Sequence, residues 1–409
     1  MTRPRALAAA AALTITAAAL TGCVAKADAA ASPSISVTST DTACDLSTAT
    51  APSGTVTFDV SNTGSQITEF YLFAEDGVRI VGEVESIAPG AKRSLTVVAQ
   101  PGSYKTLCKP GMVGSGVGMA AFEVTGSRVK TDGADADAKK KAVDLYAAFV
   151  KDQVGQMLPA VTTFAAAYAA GDDATAKARF PVVRGYYERI EPVASSLSDL
   201  DPKIDYRELD AQADGIPWTG FHRFEKDLWQ PAQDAVNSDQ STPAWQDWSP
   251  STPAERTTYA DGLVANVQTL YDYVHAGDFR KNLESQGIAA LSNGASALLD
   301  EVATGKIEGE EDWWSGTDLY DFTANVEGSK MAFSLVRDLA RSKGAAAGAL
   351  VAEIDKGYAG IEAKLATYGS FDTGFVPYSH VTEGQRRELS DLINALAEPL
   401  SQLTSTVLK

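Results

Sequence analysis

Residues 126–137, Gly-Ser-Arg-Val-Lys-Thr-Asp-Gly-Ala-Asp-Ala-Asp, divide the chain into two parts of different periodicity. The stretch is polar, with Gly and Asp throughout, and reads as a linker. Before it, Ser36–Thr38, Thr55–Val60 and Arg93–Val98 alternate apolar and polar residues, as strands with one buried face do. Ile67–Phe73 adds an aromatic-rich strand, and Gly54, Asn62-Thr63-Gly64, Pro89-Gly90 and Pro101-Gly102 mark turns. About seven short strands at this spacing predict an antiparallel β-sandwich over 34–126. After the linker, 127–137, the period becomes helical. Ala142, Leu145, Phe149 and Val150 recur at that spacing, as do Met157, Val161, Phe164 and Tyr168. Helical patterning continues to Lys409, with breaks at 171–173, 199–202, 238–253, 309–316 and 369–377. The expected architecture is multidomain, β then α, with a large all-α helical bundle over 138–409.

The first 33 residues read as address and tether. Arg3 and Arg5 precede an apolar run, Ala6–Leu20, too short for a comfortable membrane span. Leu20-Thr21-Gly22-Cys23 is a lipobox, so 1–22 is expected to be a lipoprotein signal peptide, Cys23 the lipidated residue and 23–33 a tether. The mature protein is then expected outside the cytoplasmic membrane, held to it by lipid. The 409 residues are 44% hydrophobic and 22% charged, an ordinary composition for burying a core. Their net charge of −18 repels nucleic acid and concentrates cations. No basic patch with interleaved aromatics occurs, which sets nucleic-acid binding aside. Without Cys23, two cysteines remain, Cys44 and Cys108. In an exported protein such a pair forms a disulfide or supplies thiolate ligands, and both readings stand.

Chemistry concentrates in the helical half. Thr219–Trp229 contains His222 with Glu225 three residues on, a spacing that puts both on one helical face. Glu188 and Glu191 share that spacing just before Pro192, which should kink or end their helix, and Asp205 follows. Carboxylates with one imidazole suit iron, manganese or zinc and lack the thiolates that favour copper(I). The plain alternatives are a solvated acidic face and a satisfied core histidine. A zinc protease would need His-Glu-x-x-His, but Arg223 and Lys226 stand where the glutamate and second histidine belong. His275 and His380 read as structural or solvent-facing, and Trp229, Trp245, Trp248, Trp313 and Trp314 as packing.

Gly220-Phe221-His222-Arg223-Phe224-Glu225 matches the Gly-x-His-x-x-Glu motif of the imelysin-like family. Tyr187–Pro192, Ser198–Pro202 and Tyr320–Gly328 resemble its EfeO-type branch, the extracytoplasmic component of an iron uptake system. The resemblance covers nearly the whole mature chain and implies a cupredoxin-like N-terminal domain. It also implies binding of iron, as Fe2+ or Fe3+, for delivery to a membrane iron permease, often beside a haem peroxidase. By motif, His222 and Glu225 carry over as the metal pair. Glu188, Glu191 and Asp205 fall in matching segments, and Glu301 is a further candidate from a later helix; Asp321 and Glu327 could equally be structural.

A blue-copper site would need histidines, and the loop Tyr104–Met112 offers Cys108 and Met112 with no histidine anywhere in the β domain. The resemblance implies instead that Cys44, Cys108, Glu69 and Met112 form a second site, for iron, copper or zinc, unless the cysteines are joined. Two other classes of function remain open at this point, a metal-dependent hydrolase and an envelope polysaccharide-binding protein. The residues do not support hydrolysis, so a non-enzymatic role is expected.

Overall fold

The computed structural model describes residues 34–77, 80–112, 114–129, 135–195, 200–304 and 306–409. The expected signal peptide, Cys23 and the tether lie outside the described residues, as does the middle of the linker.

Nine strands come first: β1 (Ser34–Ser39), β2 (Cys44–Leu46), β3 (Thr50–Pro52), β4 (Gly54–Asn62), β5 (Thr68–Ala74), β6 (Ile80–Ile87), β7 (Lys92–Ala99), β8 (Gly102–Cys108) and β9 (Val117–Thr125). They form two sheets, ordered β2-β1-β4-β7 and β3-β9-β8-β5-β6. Alternation drives this layering, because every second side chain of β4 (Val56, Phe58, Val60) faces the other sheet. Phe58 sits 5.1 Å from Phe70 and 5.3 Å from Phe122, ring centre to ring centre, and these rings fill the space between the sheets. The sandwich is mixed rather than wholly antiparallel. β1 runs parallel to β4, and β3 parallel to β9. Neither pair is joined by a hairpin, and only hairpins oblige neighbouring strands to run antiparallel. Cys44 on β2 and Cys108 on β8 are disulfide-bonded, which ties one sheet to the other.

Thirteen α-helices follow among the described residues. They are α1 (Ala136–Ala169), α2 (Asp173–Glu188), α3 (Glu191–Ser195), α4 (Asp201–Ile204), α5 (Glu208–Asp214), α6 (Phe221–Leu228) and α7 (Pro253–His275). Then come α8 (Gly277–Gln286), α9 (Ile288–Thr304), α10 (Asp318–Ser342), α11 (Ala345–Leu365), α12 (Glu383–Ser401) and α13 (Leu403–Val407). α1 packs along α7 and α2, and α10 along α9 and α11. The cap expected at Thr382 forms reciprocally with Gln385, and Thr252 with Glu255 starts α7 in the same way. No helix among the described residues is long and apolar enough to cross a membrane.

Sandwich and bundle pack into one compact unit from residue 34 onward. The joint is polar. Arg93 on β7 pairs with Asp300 on α9 at 2.7 Å. Asn293 on α9 donates to the Thr96 carbonyl at 3.0 Å and accepts from the Thr404 hydroxyl at 2.6 Å, so one amide bridges β7, α9 and α13.

Candidate metal centre

The site is built around α6, all eight of whose residues are buried. Phe221 and Phe224 anchor it among Phe164, Tyr168, Phe180 and Tyr187. Gly220 precedes it at φ 84°, and a Cβ there would stand 2.2 Å from the Ile204 carbonyl oxygen. Only glycine lets the start of α6 approach the end of α4 this closely. That approach sets Asp205 beside His222.

The imidazole lies between carboxylates on both edges. Nδ1 is 3.3 Å from Glu225 Oε2; Nε2 is 3.3 Å from Glu311 Oε1 and 3.6 Å from Asp205 Oδ1. The backbone N–H groups of Trp314 and Ser315 donate to Glu225 Oε1 at 3.0 and 2.8 Å, which fixes that carboxylate. Two sets of ligand atoms result, Asp205–His222–Glu311 and His222–Glu225–Asp312, each with its atoms within 4.8 Å of one another. A cavity of about 20 Å3, room for about one water, reaches His222, Glu225 and Glu311 between Trp218, Trp313 and Trp314.

Beside this centre lies Arg184, fully buried and ringed by five carboxylates. It binds Glu188 at 2.5 Å, Glu311 at 2.9 Å and Asp321 at 3.1 Å, and it also holds Asp205 and, at 3.5 Å, Asp312. The carboxylates outnumber the cations. Burial therefore pushes Asp205 and Asp318 up to about 7, against the pull of Arg184 on the first and of backbone hydrogen bonds on the second. Burial lifts Asp312 and Asp321 well above the usual range, again against Arg184. Burial and Arg184 act to lower His222, yet its bonds to Glu225 and Glu311 and the charge of Asp205 push it up to about 10. The metal-free centre therefore holds an imidazolium. Asp321 Oδ1 is buried without a hydrogen-bond partner, and Asp312 Oδ1 has only the ion pair with Arg184 at 3.5 Å. A buried, acid-rich pocket with carboxylate oxygens short of donors has the chemistry of a hard cation site.

The sequence-predicted residues fall into separate places. His222, Glu225 and Asp205 come together. Glu188, Glu191 and Glu301 gather instead on the buried ammonium of Lys306. Glu188 and Glu191 do not share a helical face: α2 ends at Glu188, and Pro192 lies in the first turn of a new helix that begins at Glu191. Glu311 and Asp312, which complete both ligand sets, were missed; the acidic run 308–312 before two tryptophans is their signal in the chain.

In the sandwich, Cys44, Cys108, Glu69 and Met112 do not form one ligand set. The disulfide removes both thiols. Glu69 follows the other face of β5, since Phe70 pairs with Cys108 and neighbours alternate; Tyr71 donates to it at 2.6 Å. Met112 lies in the short turn Pro110–Met112. His275 is exposed and stacks on Tyr271, and His380 is exposed in a turn.

Residues 142–403 match the imelysin family, and residues 8–117 match the cupredoxin-like domain family. Relatives from Escherichia coli O157:H7 and Shigella flexneri, each named iron uptake system component EfeO, are 34% identical over 365 residues, 88% of this chain and 88% of each relative. A crystal structure from Parabacteroides distasonis, described as an iron-regulated protein A precursor, is 16% identical and covers 66% of this chain and 93% of that one, with a TM-score of 0.42.

Proposed function

This chain belongs to the imelysin family, as a relative of the EfeO iron uptake components, and from that membership and the His222 centre we propose that it captures iron for uptake. The observation that carries the reading is an imidazole held between carboxylates on both nitrogens, in a pocket with more carboxylates than cations. Iron, as Fe2+ or Fe3+, would take the place of the imidazolium proton. His222 with Asp205 and Glu311, or with Glu225 and Asp312, would supply its ligands.

The role is carriage rather than catalysis. Lys226, where a zinc protease has its second histidine, is fully buried and bound to Glu208 and Asn237, so it is spoken for structurally. We further propose that the mature chain is lipid-anchored at Cys23 outside the cytoplasmic membrane. Its sandwich (34–126), linker (127–137) and bundle (138–409) would pass iron to a membrane iron permease, beside a haem peroxidase of the same system. The ion would be released when the partner alters this site and withdraws one or two ligands.

The test is anaerobic Fe2+ titration of the mature protein beside the double variant His222→Ala/Glu225→Ala. Loss of the imidazole and its partner should weaken binding by about 100-fold or more, since losses one shell further out already cost roughly 10–100-fold. A variant that binds as tightly, at the same stoichiometry, sinks the proposal.

Affinity should also depend on pH in a defined sense. Protons and iron compete for the same atoms, so binding tightens as pH rises. With His222 held up to about 10, iron seated between His222, Asp205 and Glu311 must displace one imidazolium proton throughout the range pH 7–9. This gives close to tenfold in affinity per pH unit, one unit being about 1.4 kcal/mol. Below about 7 Asp205 adds a second proton and the slope steepens. Titration calorimetry in buffers of different ionisation heat counts those protons; no release at pH 8 would contradict the imidazolium centre.

A further inference from the structure

Two of the acidic residues of the iron centre stand on a loop, 307–316, that leads from the turn Lys306–Glu308 to α10. Glu311 comes within 3.3 Å of His222 Nε2 from the middle of this loop, and Asp312 belongs to the second ligand set. The N–H groups of Trp314 and Ser315, further along it, seat Glu225. Side chains on a loop are placed less precisely than those on a helix unless the loop itself is held.

Both ends of the loop are fastened by one residue, Tyr378. Its hydroxyl donates to the Ile307 carbonyl, and its backbone N–H donates to the Gly316 carbonyl at 2.8 Å. Between these ties Gly309, at φ 79°, lies against the phenol ring, where a Cβ would stand 2.8 Å from ring carbon Cδ1. Glycine there lets the loop close over the ring. Tyr378 is buried while Val376, Pro377, Ser379 and His380 around it are exposed, so this surface segment sends one side chain inward, onto the loop.

The anchor does not depend on the loop it holds. Upstream, β10 (Gly369–Ser370) pairs antiparallel with β11 (Gly374–Phe375). Phe371 and Phe375 pack edge-on against Tyr320 of α10, ring centres 5.3 and 4.8 Å away. Downstream, Thr382 caps the start of α12. The kind of tie also matters. Glu311 and Asp312 are held by charge, through His222 and Arg184, and a cation entering the centre rearranges those charges. The bonds from Tyr378 join neutral groups and leave the ion pairs out. Trp313, whose Nε1–H donates to the Val236 carbonyl at 2.9 Å, adds another neutral tie.

We propose that Tyr378 is a positioning residue for the iron centre. By clasping both ends of loop 307–316 it sets the reach of Glu311 and Asp312 toward His222, without touching the ion. This rests on the reading that the chain binds iron at His222.

The test is the variant Tyr378→Phe, which keeps the ring and removes only the bond to Ile307. Anaerobic Fe2+ titration should show affinity reduced by about tenfold or more, the scale of an outer-shell loss. In a Glu311→Gln background the same change should cost no more than about threefold, because a ligand that it positions is already gone. Hydrogen exchange of the metal-free variant should be faster by about fivefold or more across 307–316 and unchanged in the sandwich and in α1 and α7. Gly309→Ala, which presses the loop off the ring and leaves Tyr378 intact, should give the same three results. If Tyr378→Phe binds Fe2+ as tightly as the parent, or loses the same factor with and without Glu311, the positioning role is wrong while the iron reading survives. Faster exchange throughout the bundle would make Tyr378 a general packing residue and overturn the role as well. A parent that binds no Fe2+ overturns both.

Discussion

Replacing Arg184 with methionine is expected to cost at least about 3–5 kcal/mol of folding stability at neutral pH, the usual penalty for stripping one partner from a buried ion network. Here one guanidinium serves five carboxylates, all on buried residues. Without it they must take up protons or leave each other. The deficit should therefore depend on pH. Arg184 acts to lower Asp205, Asp312 and Asp321, so its removal lifts all three further above their unfolded values. A carboxyl group raised in the folded state favours folding at low pH and loses that advantage as pH rises through the raised value. The variant should be nearest to the parent at about pH 5 and furthest from it at about pH 8. Urea unfolding at the two values measures this, and a deficit that grows towards acid would refute the assignment. Arg184→Lys should recover only part of the loss, because an ammonium cannot reproduce the guanidinium fork.

Opening the disulfide is the second large effect. Cys44 and Cys108 are 64 residues apart, and the chain-entropy relation assigns about 4 kcal/mol to a loop of that length. The double variant Cys44→Ser/Cys108→Ser should lose stability on that order. The loss should fall on the sandwich, whose two sheets the bond connects. Guanidinium unfolding followed by a probe in the sandwich is the measurement; an unchanged midpoint would show that sheet packing alone suffices. Counting thiols without reductant gives an independent check, with no reactive thiol expected at either position. A bond of this kind also suits assembly in an oxidising compartment.

The two halves of the fold were legible because they differ in the most local of signals, the period of the apolar residues. Residues 34–125 show period two and those after 136 the helical period, and the strands and helices follow. The pair His222–Glu225 was equally legible, since three residues of helix suffice to juxtapose them. The remainder of the centre was not. Glu311 lies 89 residues beyond His222, in a stretch that reads only as a break between helices. Nothing local announces that such a loop folds back under α6. The acidic run at 308–312 leading into Trp313-Trp314 is the one hint, because aromatics seek burial and would carry those charges inward. Glu188 and Glu191 misled in the opposite direction. Their spacing suggests one helix, whereas the chain starts a new helix at Glu191. Reading for ligands alone also passed over Arg184 and Lys306, although a buried carboxylate must have a partner and these two cations decide which carboxylates stand together.

The amide of Asn293 has a consequence for time as well as for shape. It joins Thr96 to Thr404 across 197 residues in one direction and 111 in the other. Contacts of such long sequence separation form slowly, because the entropy of closing a long loop must be met before any bond rewards it. The bundle closes comparably long loops of its own, as where Arg184 meets Asp321 across 137 residues, so the joint and the buried ion network belong to the same slow class of contact. The Asn293 amide thus ties the pace at which sandwich and bundle come together, and not their geometry alone, to residues far apart in the chain.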